Sequence, residues 1–293
     1  DLQFAQQLGK EFEKKFAGIS VRVERSGAER VFTRIGQEYG SKVHAVDVVN
    51  TADLSHTIVW TRNGWLAPYL PEDVAKHFAK AYYDPNGLFA TTRILLSPIA
   101  YNTNLVKKAD LPTTYQDLLN PKWKGKLGIE AEDLDWFAGV IGELGEAKGL
   151  QLFRDIVATN GLSVRKGHTL LTNLVASGEV PFALTVYNFT AEQVRQKGAP
   201  LAWYVMQPAI ARANGLGVAR NAPHPHAALL YYDFMISDEG QRILASRDFL
   251  PTSKKFDSPF KDTKLKLVDP GQLLDEEAKW TGLYKDIFLK QPK

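Results

Sequence analysis

The sequence predicts an α/β protein in which mostly parallel sheets are flanked by helices. Helix and strand patterns alternate along the 293 residues, and such alternation is typical of α/β layers. Apolar residues make up 44% and charged residues 24% of the chain, which is a globular composition and excludes a disordered chain, collagen or a coiled coil. The length fits one large or two ordinary domains. Because no long linker rich in Ser, Gly or Pro occurs, we expect any crossing between two domains to use short, ordered strands.

The first element is predicted to be a helix. Apolar side chains recur every four residues at Phe4, Leu8, Phe12 and Phe16, and this stripe is typical of an amphipathic helix, which we expect to end at Gly18. The alternating residues 19–24 then predict a half-buried strand. Since an α/β domain usually opens with a strand, we also expect a strand before Asp1.

Periodicity, β-branched runs and breaker residues predict the remaining elements. In chain order they are a helix at 27–39, a buried strand of the parallel kind at 43–50, a helix at 53–61, a β-prone run at 91–101, a turn into a strand at 122–130, helical residues at 133–158, a strand at 162–165, a helix at 170–177 closed by Gly178, a strand at 180–187 and a helix at 227–235.

Charge and cysteine content exclude several classes of function. The net charge is +3 and the pI about 8.8, far from the basic stripe of a nucleic-acid-binding protein. The chain has no cysteine, which excludes thiol nucleophiles, cysteine-ligated zinc, iron–sulfur clusters and disulfides, and is compatible with an oxidising compartment. No apolar run approaches the length of a membrane span.

Two candidate binding segments lie in the first quarter of the chain. Arg25, Ser26, Gly27 and Ala28 stand between a predicted strand and helix, where free N–H groups and a hydroxyl suit an anion. The alternative is that Ser26 caps the helix, with Glu29 completing a capping box. Thr51 and Asp53 follow the next strand, at the edge where α/β proteins bind ligands, although Asp53 equally fits a helix N-cap.

Two further candidates lie in the second half. Tyr187 and Asn188 end a predicted strand and offer a hydroxyl, an amide and a ring face, with a buried core tyrosine as the alternative. His168 and Thr169 precede a helix and are predicted to face a cleft, with Asp135 and Trp136 nearby. The acidic stretch at 132–135 alternatively serves only the N-terminus of its helix.

Other residue patterns do not support catalysis or metal binding. His224 and His226 flank a proline before an apolar helix, and two ligands do not make a metal site. Gly215 and Gly217 lack the third glycine and the acidic partner of a dinucleotide fingerprint. No P-loop, G-x-S-x-G elbow or H-E-x-x-H segment occurs, so we assign no catalytic residue, no metal ligand and no cofactor.

Seven segments in order resemble the periplasmic solute-binding proteins of ABC transporters. The chain is similar over nearly its full length to their type 2 class, in the group that binds ferric ion, thiamine, polyamines and phosphonates. The segments are VERSG at 23–27, DVVNTAD at 47–53, IAYNTNLV at 99–106, YQDLLNPKWKGK at 115–126, VASGEVP at 175–181, NAPHPHAA at 221–228 and SDEGQ at 237–241.

The resemblance implies a fold of two α/β lobes joined by two hinge strands. Lobe 1 is predicted at 1–98 and 210–262, lobe 2 at 102–206 and 263–293, with hinges near 98–102 and 207–210. The family captures its ligand as the lobes close, and the four candidate segments are expected to face that cleft. The resemblance also implies a monomer that is exported to the periplasm, or tethered outside a Gram-positive membrane, and that delivers its ligand to an ABC permease without binding nucleic acid.

The resemblance does not extend to the iron ligands of the family. Ferric-ion binders of this group typically use two adjacent tyrosines where this chain has Tyr187 and Asn188, and a neutral amide is a poor ligand for ferric ion. We therefore expect a small organic anion such as a carboxylate, phosphate or phosphonate, with Trp136 or Tyr187 stacking on its organic part. The alternatives are a ferric or other metal ion, an enzyme on the same scaffold, and the effector-sensing half of a regulator.

Overall fold

The computed structural model describes residues 2–258, 260 and 263–290. The chain divides into two compact units, unit 1 (Asp1–Ile94 and Ala213–Pro259) and unit 2 (Leu95–Arg212 and Phe260–Lys293). Compact units do not locate hinges, so the lobe limits and hinge positions expected from the sequence stay predictions.

Helices and strands alternate through the described residues. The helices are α1 (Leu2–Lys15), α2 (Ala28–Gly40), α3 (Leu54–Arg62), α4 (Glu72–His77), α5 (Leu134–Leu144), α6 (Glu146–Asn160), α7 (His168–Ser177), α8 (Asn188–Gln196), α9 (Pro225–Ile236), α10 (Asp238–Ala245), α11 (Pro270–Asp275) and α12 (Glu277–Tyr284). The strands are β1 (Val48–Thr51), β2 (Arg93–Leu96), β3 (Ile99–Asn102), β4 (Leu127–Glu130), β5 (Ser163–Arg165), β6 (Phe182–Ala183), β7 (Leu201–Tyr204), β8 (Ala209–Ala213), β9 (Gly215–Val218), β10 (Leu250–Pro251) and β11 (Leu265–Leu267). Short 3₁₀ segments lie at Lys80–Tyr82, Lys108–Asp110, Tyr115–Leu119 and Pro121–Trp123, and a π-helical turn at Lys285–Leu289.

The apolar stripe of α1 packs into the core of unit 1. Phe4, Leu8 and Phe12 are buried, and the Phe12 ring lies 5.1 Å from that of Tyr231 and 5.6 Å from that of Phe234, both on α9. The prediction of an amphipathic first helix is therefore confirmed. No helix among the described residues has the length and apolar character needed to span a membrane.

The strand predicted at 19–24 is wrong, because this segment forms no ladder in the structure. The N–H of Val21 donates to Glu13 Oε1 at 2.7 Å, and the N–H of Ile19 donates to the carbonyl of Phe16. Ile19 and Val21 nevertheless pack against the core of unit 1. The alternation of apolar residues thus reflects burial of one side of a segment whose N–H groups have other partners.

A two-stranded antiparallel sheet of β1 and β9 lies in unit 1, where the sequence predicted a strand of the parallel kind at 43–50. Only Val48–Thr51 forms a strand, and it pairs with β9 in the register Val48↔Val218 to Thr51↔Gly215. A Cβ on Gly215 would lie 2.3 Å from Thr57 Cγ2, so a glycine lets α3 approach the strand closely. The residues of a strand show how it is buried but not which strand pairs with it or in which direction, and here the antiparallel partner, β9, is distant in the chain.

Unit 2 contains a five-stranded sheet in the order β5-β4-β6-β3-β7. Strand β4 runs parallel to β5 and β6, and β3 runs antiparallel to β6 and β7. The α/β class with helices flanking the sheets is confirmed, and the strand directions are mixed. The parallel part places the carboxyl ends of β4, β5 and β6 at one edge of the sheet, which is where α/β proteins hold ligands.

Breaker residues divide several elements that the sequence predicted as continuous. The β-prone run at 91–101 divides at Ser97 and Pro98 into β2 and β3, since proline has no N–H to donate to a ladder. The helical residues at 133–158 divide at Gly145, whose φ is +84°. The strand predicted at 180–187 is reduced to Phe182–Ala183.

Candidate functional site

Six polar side chains meet near the carboxyl edge of the unit 2 sheet, and we call them the unit-2 cluster. They are Glu130, Asp133, Asp135, His168, Tyr187 and Arg212. Glu130 is the last residue of β4, and His168 and Tyr187 follow β5 and β6 at the starts of α7 and α8. The two aspartates open α5, and Arg212 lies in β8. The order of the parallel strands brings these separate segments together.

Asp133 is the carboxylate at the centre of the unit-2 cluster. Its side chain is 1% exposed, and its two oxygens lie 2.9 and 3.1 Å from His168 Nε2. Arg212 Nη2 donates to Asp133 Oδ1 at 3.3 Å. Burial alone would raise the pKa of Asp133, but the charges and hydrogen bonds of His168, followed by the charge of Arg212, outweigh it and hold that pKa at about 2. Asp133 is therefore ionised at neutral pH.

Arg212 connects the members of the cluster. Its Nη1 lies 3.0 Å from Asp135 Oδ2, and its Nη2 donates to the hydroxyl of Tyr187. The Tyr187 ring stacks on the His168 ring at 3.8 Å between centroids, and at 5.4 Å on Phe189. Burial raises the pKa of Tyr187 well above its ordinary value, so the phenol is protonated at neutral pH.

Glu130 is the second buried carboxylate of the cluster. It accepts the N–H of Gly167 at 2.7 Å and the N–H of Glu132 at 2.5 Å. Burial raises the pKa of Glu130, and the negative charge of Asp133 raises it further. Glu130 thus fixes the turn before α7 and adds hydrogen-bond acceptors to the site.

In unit 1, Asp53 acts as the N-cap of α3, the alternative that the sequence left open. Its Oδ1 accepts the N–H and the hydroxyl of Ser55 at 2.8 and 2.7 Å. The Thr51 hydroxyl accepts the N–H of Asp53 at 3.2 Å and lies 3.1 Å from His56 Nδ1. The other ring nitrogen of His56 lies 3.0 Å from Glu29 Oε1. The side chains of Thr51 and His56 are buried.

The segment 25–28 leads into α2 without the predicted cap. Arg25, Ser26 and Gly27 are exposed, and the N-cap is Gly27, with no side-chain hydrogen bond to the helix. The capping box of Ser26 and Glu29 is therefore wrong, because the helix begins one residue later and Glu29 lies against His56. The first turn of α2 carries N–H groups that no N-cap side chain accepts.

Among the residues that the structure describes, two groups of side chains have the spacing needed to hold a metal ion. One ligand atom from each of Glu130, Asp133 and His168 lies within 4.8 Å of the others, and the same holds for Glu29, Asp53 and His56. Carboxylate oxygens and imidazole suit several first-row transition metals. In the unit-2 cluster, however, the carboxylate oxygens already accept hydrogen bonds.

The structure unites some of the predicted site residues and separates others from them. Asp135, His168 and Tyr187 belong to one cluster. Trp136 is 1% exposed, and its ring packs in the core at 5.5 Å from Phe153. Thr169 is exposed on the first turn of α7. Asn188 is buried, and its Oδ1 accepts the N–H of Leu96 at 3.4 Å.

Sequence reasoning did not single out Glu130, Asp133, His56 or Arg212. Arg212 is a charged residue in an otherwise apolar five-residue strand, and that contrast was a usable signal. Glu130 ends a buried strand, so the rule that selected Asp53 would have selected it too. Asp133 lies in the acidic stretch at 132–135, for which a role at a helix N-terminus was one of two alternatives.

Comparison with known proteins gives the family and the fold. The family described as "Bacterial extracellular solute-binding protein" matches residues 60–273. Iron uptake protein A1 of Synechocystis sp. is 25% identical over 247 residues, covering 79% of this chain and 68% of that protein. Iron-bound HitA from Pseudomonas aeruginosa superposes with a TM-score of 0.82 at 23% identity, covering 97% of this chain and 95% of that one. AfuA from Actinobacillus pleuropneumoniae, with fructose-6-phosphate bound, has a TM-score of 0.82 at 22% identity, covering 98% and 96%. These likenesses confirm the two-lobed fold of periplasmic solute-binding proteins.

Proposed function

The chain belongs to the bacterial extracellular solute-binding proteins, and from this we propose that it captures a small organic anion and delivers it to an ABC permease. We place it in the periplasm, or outside a Gram-positive membrane, because the family is extracellular. The proposal takes the protein as a binding protein and not an enzyme, and it requires no cofactor.

The observation that carries the proposal is the open N-terminus of α2. Its N-cap, Gly27, provides no side chain to accept the N–H groups of the first turn, and the neighbouring Arg25 and Ser26 are exposed. A helix N-terminus attracts anions through these N–H groups and the helix dipole. A guanidinium and a hydroxyl beside it add the donors that a phosphate, phosphonate or carboxylate prefers.

The unit-2 cluster supports a ligand that also carries hydrogen-bond donors. The carboxylates of Asp133 and Asp135 contact the guanidinium of Arg212, and a carboxylate oxygen of Glu130 lies within 4.8 Å of ligand atoms of Asp133 and His168. Such a site offers acceptors to hydroxyl or ammonium groups. We therefore propose a ligand with an anionic group and one or more donors. A sugar phosphate, the ligand class named for the AfuA structure, has both kinds of group.

A metal ion is the second candidate cargo. The ligand atoms of Glu130, Asp133 and His168 lie within 4.8 Å of one another, and relatives and neighbours are named for iron. Ferric ion prefers anionic oxygen ligands. The guanidinium of Arg212, which donates to the Tyr187 hydroxyl and contacts Asp133 and Asp135, favours the organic ligand over ferric ion.

Thermal melting against a ligand panel tests the proposal. The panel contains sugar phosphates, phosphonates, small carboxylates, inorganic phosphate and ferric citrate. A ligand at 100 times its dissociation constant adds about 2.7 kcal/mol, which raises the melting midpoint by several degrees in a protein of this size. We expect one organic anion to do so and ferric citrate to have no effect.

A pair of arginine variants locates the anion. Arg25→Ala should weaken binding of the active anion by about 1–3 kcal/mol, the cost of losing a charged hydrogen bond. Arg22→Ala is the matched control, since Arg22 is an exposed arginine that precedes the helix start by several residues and pairs with Glu24. Equal affinity in both variants would place the anion elsewhere, and a shift with ferric citrate alone would establish the metal ion as cargo.

A further inference from the structure

The unit-2 cluster contains the oxygen atoms that a hard metal ion prefers, gathered in one buried place. Asp133 and Glu130 are buried carboxylates, Asp135 is a third carboxylate beside them, and Tyr187 adds a phenol. Carboxylate and phenolate oxygens are ligands for ferric ion, and imidazole for other transition metals. By residue type alone the cluster resembles a metal site.

Arg212 already holds three of these groups. One nitrogen of its guanidinium lies 3.3 Å from Asp133 Oδ1 and also donates to the hydroxyl of Tyr187, and the other lies 3.0 Å from Asp135 Oδ2. The side chain of Arg212 is only 15% exposed, so these contacts fix it in place. An arginine keeps its charge at every physiological pH, and its planar fork suits paired contacts with carboxylates.

We propose that Arg212 acts as a built-in cation that excludes metal ions from the unit-2 cluster and so determines specificity for an organic solute. The proposal rests on the proposed function and deepens it by naming the residue that separates the two candidate cargoes. A metal ion ligated by Asp133 or Tyr187 would lie within a few ångströms of the guanidinium. In a site largely removed from water, that like-charge contact opposes binding.

Removing the guanidinium should open the cluster to a metal. We expect the wild type to show no binding of ferric ion supplied as ferric nitrilotriacetate. Arg212→Met should bind it with an affinity at least about 100-fold above the weakest that the titration detects, since like-charge contacts cost several kcal/mol. Coordination by Tyr187 should give a visible tyrosinate-to-iron absorption band in Arg212→Met. That band should be absent from the wild type and from Arg212→Met/Tyr187→Phe.

Two further variants keep the test decisive. Arg212→Met removes the positive charge that two buried aspartates contact and is expected to be less stable, so Arg212→Met/Asp135→Asn, which removes one charge of each sign, is examined in parallel. Arg195→Met is the matched control, because Arg195 pairs with Glu192 in the same unit but outside the cluster. This control should bind no ferric ion.

The outcomes separate this inference from the proposed function. If folded variants lacking Arg212 gain no metal while the wild type binds an organic anion, only the role of Arg212 is overturned. If the wild type itself binds ferric ion as tightly as the variants, both the role of Arg212 and the organic cargo are overturned. A gain of metal binding and of the absorption band in the variants alone supports the inference.

Discussion

At the scale of single residues, the chemistry of the unit-2 cluster depends on Asp133. Its carboxylate is buried, and its charge is balanced by Arg212 and by contact with His168. A buried charge is tolerated only where partners replace the water it loses. Removal of one member of the cluster therefore leaves the other members in an unfavourable environment.

The first prediction concerns the charge of Asp133. Asp133→Asn should lower the free energy of unfolding by about 3–5 kcal/mol at pH 7, because it breaks a buried ion pair and leaves Arg212 undercompensated. Urea denaturation followed by circular dichroism measures the difference. Asp155→Asn, an exposed aspartate on α6, serves as the control and should be close to neutral.

The second prediction is the pH dependence of that difference. The pKa of Asp133 is about 2 in the folded protein, against an ordinary value of 3.8. A lowered folded-state pKa contributes stability that is present above the unfolded value and is lost as the pH falls towards the folded one. The gap between wild type and Asp133→Asn should thus be full above about pH 5 and shrink as the pH falls from there towards 2. A gap that stays constant down to pH 2 would contradict the assigned pKa.

At the scale of the element, α2 and α3 begin in different ways and should respond differently to loss of a polar residue. Asp53→Ala removes the N-cap of α3 and should cost about 1 kcal/mol of unfolding free energy. Ser26→Ala should have almost no effect, since no side chain caps α2. Thermal denaturation of the two variants without ligand provides the comparison. A comparable loss in both would restore the capping role that the sequence predicted for Ser26.

Two glycines, one in each unit, differ in the space available to an added Cβ atom. Gly215→Ala places a Cβ 2.3 Å from Thr57 Cγ2 and should destabilise the protein by about 1–3 kcal/mol through overpacking. Gly142→Ala on α5 meets no atom within 4 Å and should stabilise by about 0.5–1 kcal/mol through helix propensity. Chemical denaturation curves for both variants check the signs. A neutral Gly215→Ala would show that α3 and β9 are less tightly packed than described.

At the scale of the whole molecule, we predict a monomer. The large apolar side chains that are exposed among the described residues are scattered along the chain and at most 53% exposed, unlike the contiguous apolar surface of an obligate interface. Size-exclusion chromatography with light scattering should give about the chain mass of 32.7 kDa, with and without ligand. A doubled mass at micromolar concentration would contradict this prediction.

The local sequence pattern was sufficient to predict elements that depend only on residues close together in the chain. The stripe at Phe4, Leu8 and Phe12 predicted α1 because a 3.6-residue period is an intrinsic property of the helix. The same reasoning failed for residues 19–24, since a strand requires a partner that alternation does not reveal. It failed in part for 43–50, because the direction of a strand relative to its partner depends on the connection that brings the partner strand alongside it.

The same distinction applies to the residues of the candidate site, some of which the local sequence indicated and some of which it did not. Strand ends and helix starts pointed to Asp53, His168 and Tyr187, because ligand sites in α/β proteins collect at such positions. The role of Asp133 depends on its contact with Arg212, 79 positions further along the chain. The contrast between Arg212 and its apolar strand marks the arginine but does not indicate which carboxylates lie beside it. The acidic stretch at 132–135 fits both a binding site and a helix N-terminus by sequence, and its contacts with Arg212 exist only in the folded chain.

The amino-acid sequence by itself determined the α/β class, the family and the kinds of side chain available for binding, since these follow from periodicity, composition and short segments in order. Only the tertiary structure decided which strands pair and in which direction, which helix N-termini are capped and which polar residues are buried. It also decided that a guanidinium lies among the carboxylates of the unit-2 cluster. The physical reason is that hydrogen-bond ladders, burial and ion pairs join residues distant in the chain. Their free energies depend on distance and access to water, which exist only in the folded molecule.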